Sequence, residues 1–318
     1  MTATLAFVFP GQGSQQVGML RELADRYSVV RTTFEEASHA LDVDLWKVTQ
    51  EGSPEALNVT ATTQPAILTA SVAIWRVWQE LEGPRPAMMA GHSLGEYSAF
   101  VCSGALGFAD GVRLVRLRGE LMQEAVPEGT GAMAAILGLD NEQVEAACAA
   151  AAQGDVVSAV NYNAPGQVVI AGARTAVERA IALCNEAGAK RAVALPVSVP
   201  SHCALMKPAA DRLKQAMDDV ALKPSRYPVV QNVDARAHDD VDTLKARLLE
   251  QLYSPVQWAS SVGYMADQGI TTLVECGPGK VLTGLNKRID RRVKGLAADD
   301  PERIAAAMTL ARESSDEK

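Results

Sequence analysis

The chain has 318 residues, of which 48% are apolar and 21% are charged. Both fractions are near the averages of globular proteins, which excludes a disordered or fibrous chain. A formal net charge of −8 argues against general nucleic-acid binding. No apolar run reaches the roughly 18 residues of a membrane-spanning helix, and the N-terminus lacks a signal-peptide pattern, so we expect a cytoplasmic protein without a membrane partner.

The cysteines are scattered, at positions 102, 148, 184, 203 and 276. They form no C-x-x-C pair and no metal-ligand spacing with the four histidines. We therefore predict reduced thiols and no metal site.

The N-terminal part of the chain predicts a strand followed by helices. An apolar strand at residues 5–9 runs into the turn Pro10-Gly11-Gln12-Gly13, as at the start of a ligand-facing loop in α/β folds. Helical periodicity follows over residues 15–40 and over 64–82, with Thr63 as the candidate N-cap residue.

A possible nucleophile elbow follows at residues 91–95. Apolar residues 87–90 predict a strand and residues 96–103 a helix, and between them lies Gly91-x-Ser93-x-Gly95. The glycines leave room for a serine on a strained turn, which aims the N–H of Leu94 at an oxyanion. The pattern occurs by chance in a chain with 24 glycines, so its position between strand and helix is what favours function.

The middle of the chain predicts a separate unit. Its elements are strand 132–138, helix 140–152, strands 156–161 and 167–171, helix 174–187 and strand 191–197. This β-α-β-β-α-β order is that of ferredoxin-like folds. Strand 227–233, helix 242–253 and strand 272–276 follow. We predict an α/β fold in which residues 129–198 are an insert in a larger domain of residues 1–128 and 199–318.

A serine nucleophile needs a base, and histidine is the usual one. His39 lies in a polar helix, His238 lies in a charged run, and the elbow should point His92 away from its neighbour Ser93, so these three are interpreted as structural or solvated. His202 ends a proline-rich loop after the last strand of the insert, without competing charges. We predict His202 as the base.

Arg118 lies on the apolar face of a helix predicted over residues 110–125. At about 100° per residue, its neighbours on that face are leucines, a methionine and an alanine, whereas the other charged residues lie opposite. A guanidinium turned toward the core is costly unless an anion pairs with it, and its planar fork suits a carboxylate. An internal salt bridge and a substrate carboxylate are both possible partners, and we favour the substrate.

The third member of a catalytic triad is missing from the pattern. No acidic residue stands where an α/β-hydrolase would place its aspartate. Gln12 and Gln251 are weaker candidates on their own. A site without this carboxylate favours transfer between activated thioesters over hydrolysis of stable esters.

The segments 9–15, 91–96, 116–119, 198–202 and 277–279 occur in order, and together they resemble the bacterial malonyl-CoA:acyl carrier protein transacylases. The resemblance runs over about residues 5–289. It implies an α/β-hydrolase-like core with a ferredoxin-like insert, which agrees with the pattern above. It also implies a ping-pong reaction that needs no metal or other cofactor.

The resemblance implies roles for individual residues. Ser93 would attack the malonyl thioester, His202 would take its proton and Arg118 would hold the free malonyl carboxylate. The main-chain N–H groups of Gln12 and Leu94 would form the oxyanion hole.

Further residues follow from the same resemblance. Gln251 would orient the histidine in place of an acid, which would explain the missing aspartate. Asn161 and Asn163 match a segment that lines the cleft in relatives, although turn formation explains them equally well.

The resemblance implies malonyl-CoA and an acyl carrier protein in its phosphopantetheine form as partners, and a monomeric enzyme. Because such carriers are acidic, we expect docking on a basic patch. The candidate patches are Lys190-Arg191 and the cluster Lys287, Arg288, Arg291, Arg292 and Lys294. A polyketide-pathway acyltransferase, a serine thioester hydrolase and a non-catalytic docking module remain as alternatives.

Overall fold

The computed structural model describes residues 4–197 and 199–316, with side chains for all of these except 314–316. In chain order its strands are β1 (Leu5–Phe9), β2 (Met88–Gly91), β3 (Gly131–Leu137), β4 (Val157–Ala164), β5 (Gln167–Ala173), β6 (Arg191–Ala194), β7 (Val229–Val230), β8 (Thr272–Glu275) and β9 (Lys294–Ala297).

Helices surround the strands. In chain order they are α1 (Arg21–Arg26), α2 (Ser28–Leu41), α3 (Leu45–Glu51), α4 (Pro54–Leu57), α5 (Thr60–Glu80), α6 (Leu94–Cys102), α7 (Phe108–Ala125), α8 (Asn141–Ala152), α9 (Arg174–Glu186), α10 (Lys207–Asp218), α11 (Val241–Glu250), α12 (Trp258–Asp267), α13 (Val281–Ile289) and α14 (Pro301–Asp316). A short 3-10 turn, Ala204–Met206, leads into α10.

The larger sheet is parallel, with the strand order β7-β2-β1-β8-β9. Its central strand, β1, is buried on both faces. Phe7 packs edge-on against Trp75 and Trp78 of α5, whereas Val8 belongs to the apolar cluster of the opposite face with Trp258 of α12. Burial on two faces explains why residues 5–9 form an uninterrupted apolar run.

The second sheet is antiparallel, with the strand order β4-β5-β3-β6. Helices α8 and α9 share with it a core that includes Ile136 and Ile170 and is separate from that of the parallel sheet. Its other face carries Met133 and Val160, which form a small apolar cluster with Cys203. The predicted α/β class is confirmed as a parallel sheet accompanied by a separate antiparallel sheet.

Val256 lies in the apolar cluster on one face of the parallel sheet and is hydrogen-bonded to β4 of the antiparallel sheet. Its N–H donates to the carbonyl of Val160 in β4 at 2.8 Å, and its carbonyl accepts from the N–H of Tyr162 at 3.0 Å. Strands β1 and β2 are parallel neighbours, so the loops that follow Phe9 and Gly91 leave the same edge of the sheet. This edge faces the antiparallel unit and forms the floor of a cleft.

Several predicted boundaries are wrong. The helix predicted over 15–40 begins only at Arg21, after turns in which Gly13 and Gly18 have positive φ, and an extended Tyr27 divides it into α1 and α2. Thr63 is not an N-cap residue, because α5 begins at Thr60 and the Thr63 hydroxyl donates to the carbonyl of Leu57 at 2.6 Å.

Two strands are shorter than predicted. β6 ends at Ala194, before Pro196, which has no N–H for a strand ladder. β7 ends at Val230, because Gln231 turns back and donates its N–H to the carbonyl of Arg236. Ser198, the predicted last residue of the insert, and residues 1–3 and 317–318 lie outside the described residues.

The sequence prediction left out α3, α4, α10, α12, α13, α14 and β9. The omission of α10 is an error, since Ala209, Ala210, Leu213 and Met217 form a clear helical apolar stripe there. Across the described ranges, no helix has the length and apolarity to cross a membrane, and no group of His, Cys, Asp or Glu is placed to hold a metal ion.

Candidate active site

Ser93 lies in the tight turn between β2 and α6. Its φ of 53° and ψ of −111° are strained for a residue with a side chain. A Cβ on Gly91 would overlap the main chain of Gly95, and a Cβ on Gly95 would overlap the carbonyl of Phe9. Close backbone packing therefore requires both glycines of the Gly-x-Ser-x-Gly pattern.

Ser93 and His202 form a hydrogen-bonded pair. Ser93 Oγ lies 2.7 Å from His202 Nε2, and His202 Nδ1 lies 2.7 Å from the main-chain carbonyl of Gln251. Because a carbonyl only accepts, Nδ1 carries the proton and Nε2 is free to accept the proton of the Ser93 hydroxyl. Burial, followed by the nearby Arg118 cation, lowers the pKa of His202 to about 3, which keeps the imidazole neutral.

Gln251 follows the last residue of α11 and contacts the site through both its main chain and its side chain. Its carbonyl accepts a hydrogen bond from His202 Nδ1 and so takes the place that an aspartate carboxylate has in many serine hydrolases. Its amide Nε2 donates to the carbonyl of Ser93 at 2.9 Å. Its Oε1 accepts from Arg118 Nη2 at 3.0 Å.

Arg118 of α7 is only 1% exposed, as its place on the apolar helix face predicts. Its Nη1 donates to Gln64 Oε1 at 2.9 Å, and its Nη2 lies 3.4 Å from Ser93 Oγ. These partners are neutral, and its Nε is buried without a partner. Within residues 4–197 and 199–313 no carboxylate pairs with Arg118, so the internal salt bridge considered above is absent.

The predicted oxyanion hole involves one residue of the loop after β1 and the first residue of α6. Gln12 follows β1, and Leu94 is the first residue of α6, with its main-chain N–H at the positive end of the helix dipole. In the described part of the chain neither N–H donates to another protein group. The side chain of Gln12 is held by Thr60, whose Oγ1 accepts from Nε2 at 3.4 Å.

His92 lines the cleft, but the histidine that pairs with Ser93 Oγ is His202. Its Nε2 lies 2.7 Å from Asn163 Oδ1, and its ring lies 5.6 Å from that of Trp258. Burial lowers the pKa of His92. Asn161 also lines the cleft, and its Oδ1 is buried without a partner.

The other two histidines lie elsewhere. His39 is exposed on α2, and His238 pairs with Asp234 at 2.8 Å. Neither lines the cleft next to Ser93.

Two site residues were missed from the sequence. Asn232, just after β7, accepts from the N–H of Ser93 at 2.7 Å through Oδ1 and donates to the carbonyl of Gly91 at 2.6 Å through Nδ2. Glu96 is fully buried and accepts from Gln251 Nε2 at 2.9 Å. Glu96 adjoins the Gly-x-Ser-x-Gly motif and could have been noticed, whereas no local pattern points to Asn232.

The cleft above Ser93 has a volume of about 230 Å³. The elbow, α7 and the antiparallel unit all contribute to it. Its lining includes Gln12, Thr60, His92, Ser93, Arg118, Met122, Met133, Asn161, Leu195, Val197, Ser201 and His202. Apolar side chains beside one buried cation suit a small acyl group that ends in an anion.

Comparison with known proteins places the chain in a family. The family model described as "Acyl transferase domain" matches residues 6–316. The chain is 61% identical over 305 residues to the malonyl CoA-acyl carrier protein transacylase of Escherichia coli (strain K12). The aligned region covers 96% of this chain and 99% of that protein.

Solved structures agree with this placement. An acyl carrier protein S-malonyltransferase from Vibrio cholerae matches with a TM-score of 0.94 and 58% identity, covering 95% of this chain and 99% of that one. A malonyl-transacylase in complex with its type II PKS acyl-carrier protein matches with a TM-score of 0.95 and 55% identity, covering 96% of this chain and 99% of that one. The chain therefore belongs to the acyl transferase domain family, among the malonyl CoA-acyl carrier protein transacylases.

Proposed function

We propose that the chain transfers a malonyl group from malonyl-CoA to the phosphopantetheine thiol of an acyl carrier protein and so supplies malonyl-carrier for fatty-acid chain elongation. The observation that carries the proposal is the Ser93–His202 pair beside Arg118, a buried cation that no described carboxylate neutralises. The names of the relatives point to the same substrate and acceptor.

In the first half-reaction, Ser93 Oγ attacks the thioester carbonyl and its proton moves to His202 Nε2. The N–H groups of Gln12 and Leu94 face the tetrahedral oxyanion. Collapse expels the CoA thiolate, which takes the proton from His202. The products are CoA thiol and a malonyl ester of Ser93.

In the second half-reaction, the thiol of the carrier arm gives its proton to His202 and attacks the ester carbonyl. Collapse of the second tetrahedral intermediate returns the proton to Ser93 Oγ and releases the malonyl thioester of the carrier. Because one serine serves both halves, CoA must leave before the carrier arm enters, which makes the reaction ping-pong.

Arg118 binds the free carboxylate of the malonyl group in this proposal. Its Nη2 already lies beside Ser93 Oγ, so a carboxylate one carbon beyond the reacting carbonyl lies within reach. A buried cation gains more from an incoming anion than an exposed one does, because water screens it less. Asn161, with its unpartnered buried Oδ1, lines the same cleft and is a further candidate contact to the substrate.

We also infer the domain division from the arrangement of strands. The order β4-β5-β3-β6, with α8 and α9 on one face, supports a ferredoxin-like insert at residues 129–198. The parallel sheet with a serine elbow after β2 supports an α/β-hydrolase-like core from residues 1–128 and 199–318.

The carrier docking surface is proposed from charge. In the C-terminal cluster, Arg292 already pairs with Asp267 and Asp290, so it contributes little net charge. Lys287 and Arg291 are exposed, and they form no ion pair in the part of the chain that the structure describes. Arg288 and Lys294 are likewise exposed without an ion pair there, and with the exposed Lys190 and Arg191 they are also available to an acidic carrier.

Acylation without an acceptor tests the function. Wild type and Ser93→Ala are mixed with malonyl-CoA, quenched in acid and analysed by intact mass and peptide mapping. The proposal expects a malonyl adduct on Ser93 that disappears when carrier protein is added and is absent from the variant. Steady consumption of malonyl-CoA with water alone would support the thioester hydrolase, and the absence of any adduct would support the non-catalytic module.

A polyketide carrier is the second candidate acceptor, because one matched structure is a transacylase bound to a type II PKS acyl-carrier protein. The chemistry at Ser93 is the same in both cases. Transfer rates from the malonyl enzyme to a fatty-acid carrier and to a polyketide carrier, measured at equal concentration, decide between them.

A further inference from the structure

Glu96 is a buried carboxylate directly behind the catalytic residues. It lies in the first turn of α6, three residues after Ser93, and has no exposed surface. It does not line the cleft, so it does not touch the substrate. A buried carboxylate is costly unless hydrogen-bond donors or cations compensate its charge.

Every group that Glu96 contacts by hydrogen bond is a donor. Oε1 accepts from Gln231 Nε2 at 3.1 Å. Oε2 accepts from the main-chain N–H of Asn232 at 3.0 Å and from Gln251 Nε2 at 2.9 Å. These partners suit the ionised carboxylate, because a carboxylic acid O–H would find no acceptor among them.

The carboxylate determines which way the Gln251 amide points. Gln251 Nε2 faces two groups that only accept, Glu96 Oε2 and the carbonyl of Ser93, both at 2.9 Å. Gln251 Oε1 faces Arg118 Nη2, which only donates, at 3.0 Å. A flipped amide would place Oε1 against two acceptors and Nε2 against a donor.

We propose that Glu96 is a positioning residue for substrate selection: its carboxylate fixes the Gln251 amide, whose Oε1 then holds Arg118 ready for the carboxylate of the acyl group. The inference rests on the proposed function, since it gives Arg118 a carboxylate to bind. The Gln251 amide lies between the two charged groups, so the negative charge of Glu96 is near Arg118 but does not occupy the guanidinium fork. A direct Glu96–Arg118 pair would compete with the substrate.

The electrostatics around Glu96 agree with this arrangement. Burial lowers the pKa of Arg118, and Tyr97 and then the Glu96 carboxylate oppose this shift. Burial raises the pKa of Glu96 to about 7, and Asp234 adds to this, whereas the three hydrogen bonds oppose it. Tyr97 and Arg118 are the other ionisable groups near Glu96. Protonation below about pH 7 turns one of the two carboxylate oxygens into a hydroxyl that faces only donors, which weakens the hydrogen bonds that orient Gln251.

The test compares Glu96→Gln with wild type, using malonyl-CoA and acetyl-CoA as acyl donors. Acetyl has no carboxylate, so Arg118 cannot favour it. Single-turnover acylation of Ser93 is followed by mass for both donors. We expect Glu96→Gln to reduce the malonyl-to-acetyl preference by about tenfold or more, the effect of misplacing a charge-assisted hydrogen bond.

Glu275→Gln is the matched control. Glu275 is also fully buried, and its carboxylate accepts from Leu282, Thr283 N–H and the Thr283 hydroxyl, away from the cleft. Loss of this carboxylate should lower thermal stability but leave the malonyl-to-acetyl preference unchanged. An equal loss of the malonyl-to-acetyl preference in both variants would show a general effect of removing a buried carboxylate and would overturn the inference.

The outcomes separate this inference from the proposed function. A wild-type protein that forms no malonyl adduct, or prefers acetyl, contradicts the function itself. A wild-type protein that prefers malonyl, together with a folded Glu96→Gln variant of equal preference, contradicts only the role of Glu96.

Wild type alone provides a second measurement if Glu96→Gln does not fold. The malonyl-to-acetyl preference is measured between about pH 5.5 and 8.5, where a group with a pKa of about 7 changes charge. We expect the preference to fall toward acid pH. A preference that is constant over this range overturns the inference.

Discussion

The main-chain carbonyl of Gln251 accepts a hydrogen bond from His202 Nδ1 at 2.7 Å. A carbonyl fixes the tautomer and orientation of the imidazole as a carboxylate would, but it adds no full negative charge. The pKa of His202 is therefore not raised by an acidic partner, and burial and Arg118 lower it to about 3. The imidazole is therefore neutral near pH 7, as the base proposed for Ser93 has to be.

Arg118→Ala should reduce malonylation of Ser93 by about 100-fold, the loss of a buried charge-assisted interaction, and acetylation by much less. Single-turnover acylation with both donors measures this. Arg116→Ala is the control, because Arg116 lies on the same helix but pairs with Glu120 on the half-exposed face. Equal losses with both donors would contradict carboxylate recognition by Arg118.

The pH dependence of acetylation should report the state of His202. Because the pKa of His202 is lowered to about 3, the imidazole stays neutral and the acetylation rate should stay flat from about pH 8 down to about pH 5. Because the folded protein keeps His202 neutral, His202 contributes to the free energy of unfolding at pH values above its pKa in the unfolded chain. This contribution is lost as the pH falls toward 3. An acetylation rate that halves near pH 6.5 would show an unperturbed histidine.

Asn232→Asp should slow acylation by Ser93 and lower the free energy of unfolding by about 1–3 kcal/mol. The change replaces the donor Nδ2 with an oxygen that faces the carbonyl of Gly91 and leaves that carbonyl unpaired. Denaturant unfolding and single-turnover acylation measure the two effects. Asn141→Asp, an exposed amide in the first turn of α8, is the control and should change neither.

Gly95→Ala should prevent normal folding or abolish acylation, because the new Cβ would overlap the carbonyl of Phe9 in β1. Gly284→Ala is the matched control, since Gly284 is exposed within α13 and no atom lies near the position of its Cβ. This control should be neutral or stabilise by up to about 1 kcal/mol, the helix propensity difference. Thermal unfolding of both variants compares them, and a stable, active Gly95→Ala would refute the packing argument.

Local pattern was sufficient for much of the fold. The continuous apolar run at residues 5–9 predicted β1, because parallel strands are buried on both faces. The β-α-β-β-α-β order of residues 131–194 was predicted to within a few residues. The pattern was less accurate where turns interrupt an amphipathic segment, as at Tyr27, since periodicity does not register a single extended residue.

The sequence by itself determined the elbow at Ser93, the buried face that carries Arg118 and the family to which the chain belongs, because each of these depends on neighbouring residues or on ordered motifs. Only the tertiary structure decided how Gln251, Glu96 and Asn232 contribute. Residues 135 to 158 positions apart in sequence meet there, through hydrogen bonds such as those of Gln231 to Glu96 and Gln251 to Ser93. Such contacts depend on how α6, α11 and the β7 loop pack, and a hydrogen bond between distant residues leaves no periodicity in the chain.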